Sequence, residues 1–217
     1  MSVTLSPPET FAELLERLGG VPLDRIRMQP APGTATPDDV VRLCEGEPKF
    51  LCELVEGVLV EKQMGHLESR LAFWLIVAIG KYLEANDIGI AAGADGPHRL
   101  TSGLVRLPDV AFISYDRIPE EAQAATPLPD WIPNLAVEII SVGNTDAEMD
   151  RKRREYFEAG VQVVWIVDPP TRTIRVFTSF DQCTIVTEDE QLDGGVVLPG
   201  FQLSVREWFE RATKLRR

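Results

Sequence analysis

Apolar and polar positions alternate through ELVEGVLVEK, residues 53–62, on both sides of Glu56-Gly57, the pattern of two short strands folded at a tight turn. From His66 to Leu83 the period changes. Leu67, Leu71, Trp74, Leu75, Ala78, Ile79 and Tyr82 recur at helical spacing and predict the main helix to pack on a sheet. HRLTSGLVRLPDVAFIS, 98–114, predicts a hairpin turning at Ser102-Gly103, with Asp109 near the middle of its second limb. NLAVEIISVGN, 134–144, holds a short β-branched run that reads as a strand buried on both faces. A helix follows: Thr145 with Glu148 three residues on forms a capping box, and Gly160 stands where it should stop. VQVVWIVD and RTIRVFTS bracket Pro169-Pro170-Thr171 as a further hairpin, LDGGVVLPGFQL reads as sheet edge, and a last helix begins near Val205.

Residues 1–50 read differently. FAELLERLGG predicts a short amphipathic helix ended by glycine, RMQPAPGTATPDD an irregular connection, and Thr36 or Asp38 caps a second short helix through Cys44. The division expected is a helical and irregular appendage over 1–50, carrying no functional chemistry, and one domain over 51–217. The order of elements predicts an α/β fold, a central mixed β-sheet flanked by helices.

One residue disturbs the pattern. Glu138 stands in the middle of its apolar strand, where an ionised and unpaired carboxylate would cost several kcal/mol. It must be protonated, paired with a cation, or holding a metal. Asp109 raises the same question within LPDVAFI, with Arg106 as a local partner that would answer it without a metal. Two carboxylates on neighbouring strands, completed by water and substrate phosphate, are what Mg²⁺ or Mn²⁺ requires. Along the strand Ala136, Glu138 and Ile140 share one face and Leu135, Val137 and Ile139 the other. On the following helix Met149, Lys152 and Tyr156 share a face, which turns Lys152 toward the sheet, either as a snorkelling stem or as a site residue.

Composition narrows the classes. With 217 residues, 44% hydrophobic and 26% charged, the chain can bury an ample core. The run LAFWLIVAIG is too short to cross a bilayer, and MSVTLSPPET lacks the regions of a signal peptide, so a cytoplasmic protein is expected. Three scattered cysteines, Cys44, Cys52 and Cys183, suggest reduced residues and no zinc site. Two histidines, His66 and His98, argue against a histidine-rich metal centre. Lys plus Arg number 22 against 34 Asp plus Glu, a net charge of −12, which disfavours a protein that coats nucleic acid electrostatically. RKRR at 151–154 and KLRR at the C-terminus are local exceptions. GIAAGADG matches neither phosphate-loop spacing, so nucleotide binding there is a weak reading.

The succession CELVEG, RLPDVAFIS, LAVEIIS, RKRREYFEAGV and VWIVDPPTRTIRVF resembles the Uma-two family of restriction endonucleases, a bacterial branch of the PD-(D/E)XK nuclease superfamily. The resemblance covers about Glu53 to Phe177. It implies a restriction-endonuclease-like fold and a Mg²⁺-dependent (or Mn²⁺-dependent) endonuclease acting on DNA. By position, Asp109 and Glu138 would hold the metal, with the Ile139 carbonyl as third ligand, and Glu53 would be a further site acid. The superfamily places its lysine two residues after the glutamate, where this chain has Ile140. The resembled family supplies it from the next helix, which makes Lys152 the catalytic lysine. His66, at the start of the long helix, is a site residue or a surface histidine. Cutting both strands of a duplex would need two sites, which a homodimer would supply, though no interface is legible in the chain. The alternative is a non-catalytic nucleic-acid- or protein-binding module that retains the fold, which the missing lysine at 140 and the acidic charge favour.

Overall fold

The computed structural model of the chain describes residues 8–123 and 125–215; the start of the chain, read above for a leader, and the last two residues of KLRR lie outside them. Thr10 caps α1 (Phe11–Arg17) by accepting from the Glu13 amide. Thr36, with Asp39 closing the box, caps α2 (Pro37–Glu45). β1 (Cys52–Val55) and β2 (Val58–Glu61) then form the predicted hairpin, with Glu56 and Gly57 at φ of 50° and 73°. At Gly57 a side chain is excluded twice over, because a Cβ would stand 2.6 Å from the backbone of Gly33, which crosses the turn.

α3 (His66–Ala85) buries Leu71, Ala72, Leu75 and Ile79. β3 (Gly89–Gly93), β4 (His98–Thr101), β5 (Leu104–Arg106) and β6 (Val110–Ser114) follow. Here one expectation needs correction. The stretch 104–114 is not one hairpin limb, because Pro108, without an N–H for a ladder, ends β5 and lets the chain change sheets. β5 pairs with β4 and β1, β6 with β3 and β7, and Asp109 sits at the crossing rather than mid-strand.

β7 (Leu135–Ile139) and α4 (Asp146–Ala159) come next, then β8 (Val163–Asp168) and β9 (Thr173–Phe177) as the predicted hairpin. Thr145 accepts from the Glu148 amide, and Gly160 ends α4 in the left-handed conformation at φ 101°. The Glu148 carboxylate does not complete the box; it turns to Arg25 and Asn144 instead. β10 (Cys183–Val186), β11 (Gln191–Asp193), β12 (Gln202–Ser204) and α5 (Val205–Thr213) close the chain.

The six-stranded sheet runs β10-β9-β8-β7-β6-β3, with β7 and β8 parallel and the other pairs antiparallel; the four-stranded sheet runs β2-β1-β5-β4. The mixed sheet flanked by helices is therefore present. Its two faces differ as the alternation along β7 predicts. Leu135, Val137 and Ile139 pack with Leu71, Leu75, Trp165 and Trp208 under α3 and α5, whereas Ala136 and Ile140 meet Met149, Tyr156 and Ile166 under α4. Among the described residues no helix is long and apolar enough to cross a membrane.

Residues 8–50 are packed onto this frame. Leu14, Leu18, Val21 and Ile26 form a cluster with Val55, Val58 and Val60, and Ile26 bridges to Val60. α2 covers Cys52, Leu54, Leu59 and Val105.

Candidate active site

Four elements bring charged side chains to one buried point where the two sheets meet. β1 carries Glu53, the crossing after β5 carries Asp109, β7 carries Glu138, and α4 carries Lys152. All four are 4% exposed or less. Lys152 Nζ lies 3.0 Å from Glu53 Oε1 and 3.0 Å from Glu138 Oε2, so a lysine from the helix reaches the carboxylate whose own strand continues with Ile140. Met149 and Tyr156 are buried on the same helix face. The Tyr156 hydroxyl donates to Glu138 Oε1 at 2.6 Å, fixing the carboxylate from its other side.

Asp109 is joined to β7 twice. Its amide donates to the Val137 carbonyl at 2.8 Å, and its Oδ2 accepts the Ile139 amide at 2.6 Å. Oδ1 is buried 2.8 Å from Lys62 Nζ, an ion pair without an aligned hydrogen bond, while the ammonium donates to the Leu107 carbonyl. Arg106 does not serve Asp109. Its guanidinium donates to Glu53 Oε2 at 2.6 Å and to Glu155. Glu53 Oε1 also accepts the Leu107 amide at 3.2 Å.

The electrostatics divide the acids. Burial would raise Glu53, but Lys152 and then Arg106 outweigh it and hold its carboxyl well below the usual range. Burial raises Glu138, and although Lys152 opposes this, Asp109 and Glu53 add to it, so its carboxyl lies above the usual range. Burial would lower Lys152, yet Glu138 and Glu53 raise it, so the ammonium stays charged. Glu138 is thus the acid least compensated as an anion. That deficit and the unaligned Oδ1 of Asp109 fit a hard divalent cation, which favours carboxylate oxygen. No group of three or more His, Cys, Asp or Glu able to hold a metal occurs among the described residues.

His66 is exposed at the start of α3 and takes no part in this network. Glu56 belongs to its turn and pairs with Arg151 at 2.8 Å. The sequence did not single out Lys62; it offered Arg106 only as a partner for Asp109, and Tyr156 only as a neighbour of Lys152 on its helix face. A charged residue within the apolar run LVRLP carries for Arg106 the same signal that Glu138 carries, a buried charge demanding a partner.

A mixed sheet with helices on both faces and a carboxylate–lysine cluster at the sheet junction defines a restriction-endonuclease-like α/β protein. Its fold is that of a solved protein described as a putative nuclease belonging to DUF820 from Anabaena variabilis ATCC 29413, determined at 1.96 Å, with a TM-score of 0.69 and 21% sequence identity. The match covers 82% of this chain and 98% of that one. Residues 37–206 match the model of the Uma2 family, described as putative restriction endonuclease, and the chain belongs to that family. Membership supports a nuclease role. No curated protein matches the chain.

Proposed function

We propose that the protein is a divalent-metal-dependent endonuclease that hydrolyses phosphodiester bonds in DNA. The observation that carries this reading is Lys152, delivered from α4 to within 3.0 Å of Glu138 and Glu53 on two different sheets. Asp109 and Glu138, with the Ile139 carbonyl as a third donor, would hold Mg²⁺ or Mn²⁺. Bound there, the ion would supply a water of lowered pKa and positive charge at the phosphate.

The chain's own groups divide the remaining work. Lys152, kept protonated by two carboxylates, acts as a cation that orients the attacking water and stabilises charge growing on the phosphate oxygens. Glu53 positions Lys152 and is itself locked by Arg106 and the Leu107 amide. Tyr156 holds the Glu138 carboxylate through its hydroxyl. The test is cleavage of single- and double-stranded DNA, with RNA for comparison, by wild type and Glu138→Gln in Mg²⁺, Mn²⁺ and chelator. Cleavage that needs the ion and vanishes in the variant supports the reading; equal cleavage by both proteins overturns it.

A second reading is favoured by one observation: Glu53, Asp109 and Glu138 each already face a buried basic side chain. A binding module that keeps the fold would need no ion there. Tight DNA binding in chelator, unchanged by Ca²⁺, would support it.

A further inference from the structure

Lys62 is a second buried lysine in the cluster, and the mechanism above gives it no task. It follows the last residue of β2, and its side chain is 4% exposed, as enclosed as that of Lys152. Its Nζ stands 2.8 Å from Asp109 Oδ1, the one carboxylate oxygen of the cluster that accepts no aligned hydrogen bond. The Asp109 Oδ2 atom is committed to the Ile139 amide. Oδ1 is therefore the Asp109 oxygen with the most acceptor capacity left for a cation, and it is the atom that the Lys62 ammonium faces. Two positive charges cannot share that oxygen at low cost, because their repulsion is weakly screened in a buried site.

We infer that Lys62 is the internal counter-ion of Asp109, which a divalent ion must displace, so that Lys62 sets how tightly the metal binds. This rests on the proposed ion site at Asp109 and Glu138. Two features suit Lys62 to moving aside. It contributes a single flexible ammonium rather than a guanidinium fork, and its other partner is one backbone carbonyl, that of Leu107. It also borders the connection 62–65, where the Gln63 side chain lies against Gly143 of the β7–α4 loop.

The experiment is calorimetric titration of the metal-free full chain with Mn²⁺ alone, comparing wild type, Lys62→Gln, Lys62→Arg and Asp109→Asn, with folding checked by circular dichroism. Lys62→Gln should bind Mn²⁺ roughly tenfold more tightly, having lost the competing charge. Lys62→Arg should bind no more tightly than wild type, and Asp109→Asn should lose the site. If Lys62→Gln fails to fold without ion, Lys62→Met, which removes the charge while keeping an unbranched apolar stem in the buried position, is carried through the same titration. Equal affinity in wild type and Lys62→Gln overturns the role of Lys62 while leaving the ion site standing. Weaker binding in Lys62→Gln also overturns it. Absence of Mn²⁺ binding in every protein overturns the ion site and the inference with it.

Discussion

Two buried ion clusters hang from α4, one turn apart, and they are built differently. Glu148 meets Arg25 fork to fork, at 2.8 and 2.7 Å, and the guanidinium also donates to the carbonyls of Glu61 and Gly143, each at 2.9 Å. One cation faces one anion, and Asn144 supplies a further donor to the carboxylate. In the other cluster Arg106 serves Glu53 and Lys62 faces Asp109, while Glu138 has only a share of Lys152, which also meets Glu53. In the first cluster both carboxylate oxygens meet the guanidinium and the charges balance one to one. In the second, Glu138 is undercompensated. A balanced pair fixes where α4 docks; an undercompensated carboxylate suits the ion proposed above.

The comparison breaks first on activity. Asp109→Asn and Glu138→Gln should each lower metal-dependent turnover by roughly a hundredfold or more, read by single-turnover cleavage in Mn²⁺. Glu138→Gln should leave the midpoint of thermal unfolding in chelator nearly unchanged, because burial and neighbouring acids already disfavour the anion it removes. A folded Glu138→Gln with full turnover would mean that the undercompensated cluster is structural after all.

Paired substitutions on the two sides of α4 sharpen the contrast. Lys152→Met should lower turnover roughly a hundredfold. Its stability loss should be only about 1–3 kcal/mol, since Glu53 retains Arg106 and Glu138 can take up a proton. Arg25→Met should do the reverse. It strands Glu148 in the interior and should cost about 3–5 kcal/mol by urea denaturation, while the protein that remains folded cleaves within a few-fold of wild type. Equal stability losses in the two variants would erase the distinction.

The smallest effect is one of sign. Burial would raise Glu148, but Arg25 and Lys152 hold it below the usual range, so its contribution is present above the ordinary glutamate value and lost as pH falls through the folded one. Glu138 is raised, so between its ordinary and folded values the folded state binds more protons, and stability falls as pH rises. Denaturant midpoints against pH in chelator should lose part of their acid limb in Glu148→Gln and gain a steeper one in Glu138→Gln. His98 adds to the same acid limb in every variant. Burial pushes it down to about 4 from 6.5, only partly offset by the Trp131 backbone, so its contribution should be lost as pH falls across that window. His98→Phe tests this by flattening the limb.

Much of this was legible in the chain itself, because the signals are local. The Glu56-Gly57 turn, the 3.6-residue period from His66, the Thr145 and Gly160 ends of α4 and the β8–β9 hairpin each depend on residues a few positions apart. Glu138 announced a site because an acid inside an apolar run cannot be solvated there, and the face shared by Met149, Lys152 and Tyr156 follows from helix geometry alone. Which cation meets which acid was not legible. Arg106 is three residues from Asp109 yet serves Glu53, 53 positions away, because Pro108 turns the chain from one sheet to the other between them. Lys62 and Arg25 look like ordinary solvated residues in sequence, and only the docking of β2 and the first 50 residues buries them against Asp109 and Glu148. Strand alternation and helix period are properties of the backbone that a segment carries alone, whereas an ion pair depends on which segments the sheet topology brings together, and that is decided only when the whole core closes.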